Sequence, residues 1–173
     1  MTELNAASQA VYGTPDFAGT VHASSVAIDG YAILIAGPSG VGKSDLMLRL
    51  IDRGALLISD DYTWIERSDG RVNNNGSDVI ASAPEAISGR IEVRGLGIVH
   101  MPHVDAVRIA MVVMALTDEA EAPERYPLSP SLCRICGTDI PVLSLFPLEP
   151  SAPIKVELAL HHFTSPLSEQ HKT

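Results

Sequence analysis

Basic residues and cysteines are scarce in this chain, and no apolar run in it is long enough to cross a bilayer. Its 12 Lys and Arg stand against 21 Asp and Glu, for a formal net charge of −9. Nucleic-acid binding demands basic surface against the phosphate backbone, so that class is set aside. Any anionic ligand must instead be met by a local positive feature. The longest strongly apolar stretch, "IAMVVMAL" over Ile109–Leu116, falls far short of the roughly 20 residues of a membrane-spanning helix. The opening "MTELNAASQAVYGTPDF" has no basic start leading into an apolar segment, so a cytoplasmic location without a secretory signal is expected. The two cysteines, Cys133 and Cys136 of "CRIC", have a spacing that suits zinc or redox chemistry. Zinc wants two more good ligands, and His161 and His162 would serve only if the fold delivered them. Reduced, partly buried thiols are the expectation.

What is present is ordinary α/β material. With 173 residues, 46% hydrophobic and 19% charged, the chain is large enough for one domain with a real core. Residues 1–19 read as a loose leader, 20–164 as the domain and 165–173 as a frayed tail. Val21–Ile28 and Tyr31–Ala36 read as strands joined by Asp29-Gly30, a strong hairpin signal. In "KSDLMLRLIDRG", Leu46, Met47, Leu50 and Ile51 share one helical face, and Gly54 is placed to stop the helix. "ALLISDD" follows as a mostly buried strand, and "RSDGRVNNNGSD" as a turn-rich connection. "ISGRIEVRGLGIVHM" alternates like a strand, "AVRIAMVVMAL" reads as a central strand, and "TDEAEAPERYPLSP" as an acidic loop. "DIPVLSLFPLEPSAP" is a proline-punctuated strand region, and "IKVELALHHF" suits either a final helix or a strand.

The local positive feature is "GPSGVGKS": Gly37, Pro38, Ser39, Gly40, Val41, Gly42, Lys43 and Ser44. It has the form Gly, four residues, Gly-Lys-Ser, and lies between a predicted strand and a predicted helix, the context that a P-loop requires. Glycines let successive backbone N–H groups turn inward as a nest for phosphate oxygens, and the helix N-terminus adds partial positive charge. Lys43 is placed to neutralise β- and γ-phosphate oxygens, and the Ser44 hydroxyl to coordinate Mg²⁺. The alternative is a glycine-rich turn with a solvated lysine.

Asp60 and Asp61 end the strand that follows. A βαβ-like return brings that strand end near the phosphate site. Two carboxylates have a use there, one to orient or bind Mg²⁺ and one to accept a proton from an attacking hydroxyl. The alternative is a solvated Asp-Asp at a strand–loop junction. Sixteen positions separate Ser44 from Asp60, a compact spacing that argues against a GTPase or a motor-type ATPase.

These residues resemble the catalytic domain of the bacterial HPr kinase/phosphorylase family. The resemblance rests on His22 heading the strand pair before the glycine loop, and on "GPSGVGKSD", with Asp45 where the family has glutamate. It rests also on "RGALLISDD" and on "IEVRGLGIV" over Ile91–Val99, and "ERYPL" (Glu124–Leu128) is similar to a further family segment. It implies an ATP- and Mg²⁺-dependent kinase acting on a serine of an HPr-like phosphocarrier protein. The fold implied is a P-loop-containing mixed sheet flanked by helices, resembling the nucleotide-binding domain of phosphoenolpyruvate carboxykinase, and a homo-oligomer, hexameric in the family. By position, Asp60 would be the proton acceptor, with Asp61 beside it. Lys43 would polarise the phosphates, Ser44 and Glu92 would hold Mg²⁺, and His22, Arg94 and Arg125 would support the site.

Three departures qualify the resemblance. No counterpart of the family's N-terminal domain is seen, so the chain resembles a short single-domain form. The connection from "RGLGIVHM" to "AVRIAMVV" is short. The family's late basic loop should fall near "FPLEPSAP" (Phe146–Pro153), which carries no basic residue. Because that loop is linked to dephosphorylation, weak or absent phosphorolysis is expected. Two other functions share the cradle: a small-molecule P-loop kinase, and a nucleotide-binding regulatory module without transfer chemistry.

Overall fold

The computed structural model describes residues 2–4, 13–68, 78–117 and 129–165. The strands are β1 (Thr2–Glu3), β2 (Gly19–His22), β3 (Ser24–Ile28), β4 (Tyr31–Ala36), β5 (Leu56–Ser59), β6 (Tyr62–Arg67) and β7 (Val79–Ser82). They continue with β8 (Arg90–Val93), β9 (Gly97–His100), β10 (Val107–Ala115), β11 (Ser131–Ile135) and β12 (Thr138–Leu145). Two α-helices, α1 (Lys43–Asp52) and α2 (Ala152–Thr164), and a short 3-10 helix at Glu85–Ile87 complete the described elements. The last segment, open between helix and strand from its sequence, is therefore a helix.

The main sheet runs β1-β2-β6-β7-β10-β4-β3-β5, with β12 and then β11 branching from β10. Strand β10 organises it. One edge pairs in parallel with β4; the other pairs first with β7, through Val107 and Arg108, and then with β12, from Val112 to Ala115. This hand-over splits and curls the sheet. β3 is antiparallel to both β4 and β5, so β4, β5, β10 and β12 all run the same way. Their C-terminal ends share one edge of the sheet, and that edge carries the site.

Alternation along the strands divides the core in two. Leu34, Ile58 and Val112 face one side, with Val21, Ile65, Ala81 and Ile135. Ile33, Ile35, Leu57, Met111 and Val113 face the other, with Leu46, Met47 and Leu50 of α1 and Val156 and Leu160 of α2. Both helices therefore lie on one face, and strands of the curled sheet close the other. The mixed sheet with helices packed against it is the architecture expected from sequence.

Three differences from the sequence expectations follow from strand pairing and turn geometry. The expected strand Val21–Ile28 breaks at Ala23, because β2 must pair with β6 while β3 pairs with β4 and β5. "IEVRGLGIV" folds as a separate hairpin, β8–β9, since Gly95 and Gly97 at φ 86 and 91 supply the turn. The leader is tied down in part: Thr2 and Glu3 pair with Val21 and His22, Leu4 is buried, and the Gly137 N–H donates to the Gly13 carbonyl. Most of the turn-rich connection and the acidic loop, including Arg125, lies outside the described residues. Cys133 and Cys136 are buried and form no disulfide, and burial pushes the Cys136 thiol up to about 11. Among the described residues no cluster of His, Cys, Asp and Glu suits a metal ion, and no helix is long and apolar enough to cross a membrane.

Helix α1 ends as its sequence predicts. The Gly54 N–H donates to the Ile51 carbonyl and the Ala55 N–H to that of Leu50, with Gly54 at φ 108. This is a Schellman closure. A methyl group at Gly54 would meet nothing within 4 Å, so Gly54→Ala tests the backbone cost alone. Urea denaturation should show a loss of about 1–2 kcal/mol; an unchanged midpoint would contradict the assignment.

Candidate functional site

The loop between β4 and α1 starts at the crowded sheet edge. A Cβ on Gly37 would lie 2.8 Å from the Ala115 carbonyl oxygen, so β10 and this loop approach each other on glycine alone. Gly40 and Gly42 take φ 80 and 109, values that direct backbone N–H groups into a concave turn. Lys43 opens α1 and is 5% exposed. Its Nζ donates to the carbonyls of Gly37 and Pro38, each at 3.1 Å. An ammonium has three donors, so one remains for a ligand above the loop.

Beside it, the chain leaves β5 through a tight reversal. The Tyr62 N–H donates to the Asp60 carbonyl at 2.7 Å, and Asp61 between them has φ 60. An i to i+2 bond around a residue of positive φ is the rarer, strained form of γ-turn. Asp60 is turned inward. Its Oδ1 accepts from the Ser44 hydroxyl at 3.0 Å and the Ser24 hydroxyl at 3.2 Å, and its Oδ2 from the Glu92 N–H at 3.4 Å. Burial, and then the charge of Asp61, push the Asp60 carboxyl above its ordinary range, against the pull of those three donors. Asp61 turns out instead, its side chain 52% exposed, with Oδ1 4.0 Å from His22 Nε2. The His22 and Tyr62 rings lie 5.9 Å apart.

The third wall is the β8–β9 hairpin. Ile91, Val93 and Val99 anchor it on the helix-side core, which aims Glu92 and Arg94 at the loop. Gly40, Gly42, Lys43, Ser44, Asp60, Asp61, Glu92 and Arg94 thus line one open cavity of about 530 Å³. Leu148, from the loop after β12, borders it and is 67% exposed. Of the residues singled out from sequence, Gly37 and Pro38 contribute the carbonyls that hold Lys43, and Val41 is buried. His22 reaches the site through Asp61 rather than lining the cavity.

Two residues at the site were not legible in the sequence. Ser24 touches both aspartates, its hydroxyl also accepting from the Asp61 N–H at 3.3 Å. Its position follows from β3 lying between β4 and β5, a pairing that no local pattern encodes. Leu148 is placed by the ending of β12 at the same edge.

Hard oxygen donors, the Ser44 hydroxyl among them, line the cavity beside the loop, the donor type that Mg²⁺ prefers. Glu92 lines the same cavity. With few protein ligands, such an ion completes its shell with water and phosphate oxygens. The glycine turn, the Lys43 ammonium and the α1 N-terminus fit a polyphosphate in the same way.

The site is thus a glycine turn with a buried lysine beside two carboxylates, on a mixed α/β domain. Residues 17–164 match the family model described as the HPr Serine kinase C-terminal domain, and the chain belongs to that family. It is 34% identical over 153 residues to the HPr kinase/phosphorylase of Geobacillus kaustophilus, covering 83% of this chain and 47% of that protein. Against the HPr kinase/phosphorylase of Prosthecochloris aestuarii it is 34% identical over 143 residues, covering 78% and 40%. The chain therefore spans about half the length of these curated relatives. A solved structure of the Hpr(Ser) kinase/phosphatase from Coxiella burnetii matches with a TM-score of 0.69 at 27% identity, over 83% of this chain and 88% of that one.

The raised Asp60 carboxyl has a consequence for stability. A folded-state value above the unfolded one means that the ionised group costs stability at neutral pH. That cost disappears as pH falls through the raised value toward the ordinary value of about 3.9. In metal-free buffer, Asp60→Asn should melt above wild type at pH 7, with the gap closing toward about pH 4. A variant that melts lower at pH 7 would contradict this.

Proposed function

We propose that this domain is an ATP- and Mg²⁺-dependent kinase that phosphorylates a serine of an HPr-like phosphocarrier protein, with phosphorolysis weak or absent. The observation that carries the reading is the hydrogen bond joining Ser44 to Asp60, which puts a carboxylate beside the anion cradle. The glycine loop is read as a P-loop, and the sheet as the phosphoenolpyruvate carboxykinase-like type. The proposal extends to a cytoplasmic homo-oligomer that binds neither nucleic acid nor membrane.

Each residue has a physical task. Backbone N–H groups of the loop hold the β- and γ-phosphates, and Lys43 neutralises them. Ser44 and Glu92 hold Mg²⁺, which when bound supplies charge neutralisation and alignment at the phosphate oxygens. Asp60 Oδ1 is occupied by two hydroxyls, so Oδ2, with one long amide contact, takes the proton from the substrate serine. A carboxyl raised above its ordinary range is a better proton acceptor near neutrality. The serine oxygen forms its bond to the γ-phosphorus as the bond to the β-bridging oxygen breaks, and ADP leaves. Asp61 and His22 hold the outer side of the corner, and Arg94 steadies the transferring group. Arg125 is retained as a supporting residue on the resemblance alone.

Phosphorolysis needs a second anion, inorganic phosphate, held against phosphoserine. Where the family's basic loop should lie, this structure presents Leu148 to the cavity. Arg49 is spent on the backbone of that loop, donating to the carbonyls of Pro147 and Glu149. Lys155 is paired with Glu149.

Two assays test the proposal. With an HPr-like carrier and ATP, mass spectrometry should find phosphoserine. Asp60→Asn should lower the transfer rate by about 10²–10⁴-fold while ATP still binds; unchanged transfer would remove Asp60 from the reaction. With phosphoserine-HPr and inorganic phosphate, pyrophosphate release should stay near background, and robust release would refute the second clause.

A further inference from the structure

Ser24 opens β3 and is 0% exposed. A buried hydroxyl is retained at low cost when both its donor and its acceptor capacity are used. Here both are used on the same short segment. Ser24 Oγ donates to Asp60 Oδ1 at 3.2 Å and accepts from the Asp61 N–H at 3.3 Å. It therefore holds the side chain of one aspartate and the backbone of the next.

That segment needs holding. Asp61 sits at φ 60, a conformation that a non-glycine residue keeps only when its surroundings over-determine it. The restraints come from two sides. Within the turn, the Tyr62 N–H closes on the Asp60 carbonyl and the Ser59 hydroxyl on the Tyr62 carbonyl. Across the sheet, the stretch from His22 to Ser24 meets the corner twice, through His22 and the Asp61 carboxylate and through the Ser24 hydroxyl. Ser24 is also in register with Ile35 of β4, two residues before the glycine loop begins. It thus references the aspartate corner to the strand that launches the anion cradle.

We propose that Ser24 is a positioning residue for phosphoryl transfer. By occupying Oδ1 of Asp60 together with Ser44, it fixes the carboxylate plane so that Oδ2 faces the incoming hydroxyl. It does not touch substrate. The proposal rests on the kinase reading above and adds a residue to it.

The test compares Ser24→Ala and Ser24→Thr with wild type in the full chain. Misplacement of a reacting group by about an ångström costs up to about 10²-fold in rate. Ser24→Ala should therefore lower kcat by roughly 10- to 100-fold, with KM for ATP and ATP affinity nearly unchanged. Ser24→Thr keeps the hydroxyl on a strand that favours β-branched residues and should restore most of kcat. A second measurement needs no nucleotide. The Asp61 amide, followed by NMR hydrogen exchange, should exchange faster in Ser24→Ala than in wild type and should stay protected in Ser24→Thr. The proposal is overturned if Ser24→Ala keeps wild-type kcat, or if its kcat falls only in step with ATP affinity and melting temperature. Unchanged exchange at Asp61 would overturn it equally, even if threonine proves too large for the site. A wild-type protein that binds ATP but transfers nothing to a carrier serine would sink the kinase reading instead, and the exchange at Asp61 would then decide Ser24 by itself.

Discussion

A single hydroxyl-to-carboxylate contact, Ser44 to Asp60 at 3.0 Å, joins the two strand ends on which the site depends. Ser44 belongs to the first turn of α1, and Asp60 to the exit from β5. Neither strand pairs with the other; β3 lies between them, antiparallel to both. The contact therefore measures whether the whole sheet is in register. A slip of β5 by one residue would turn Asp60 to the opposite face and leave Ser44 facing a backbone.

The proposed chemistry rests on the unequal treatment of two neighbouring acids. Asp60 is drawn into a pocket of donors and pushed upward by burial and by its neighbour, while Asp61 is left half in water. One carboxylate is held inward by three donors, the other faces water. The acidic chain answers its own repulsion locally, with an almost fully buried lysine over a glycine turn. Net charge told little about the ligand; where one ammonium was placed told more.

Much of this was legible before any coordinates. The glycine loop, the Asp-Gly hairpin, the face of α1 and the central strand all obey local periodicity or turn chemistry, and each is where its residues predict. The nearness of Asp60 to the loop followed from a short return between parallel strands. What stayed hidden depends on long-range pairing. Ser24 reads as one small residue in "HASSVAI", and only the order β4-β3-β5 gives it a role. The break at Ala23 and the placement of both helices on one face have the same origin. They are decided by which strands meet, and local pattern carries no record of that.

The shared edge of β10 bears on how the chain is made. β4 pairs on one side with β3, its neighbour in sequence, but its other side waits for residues 109–114. Until those residues emerge during synthesis, β4 must therefore carry an open row of backbone donors and acceptors along an apolar strand. Such edges recruit other chains. Until β10 emerges that edge stays unpaired, and a pause in translation before that point would lengthen its exposure.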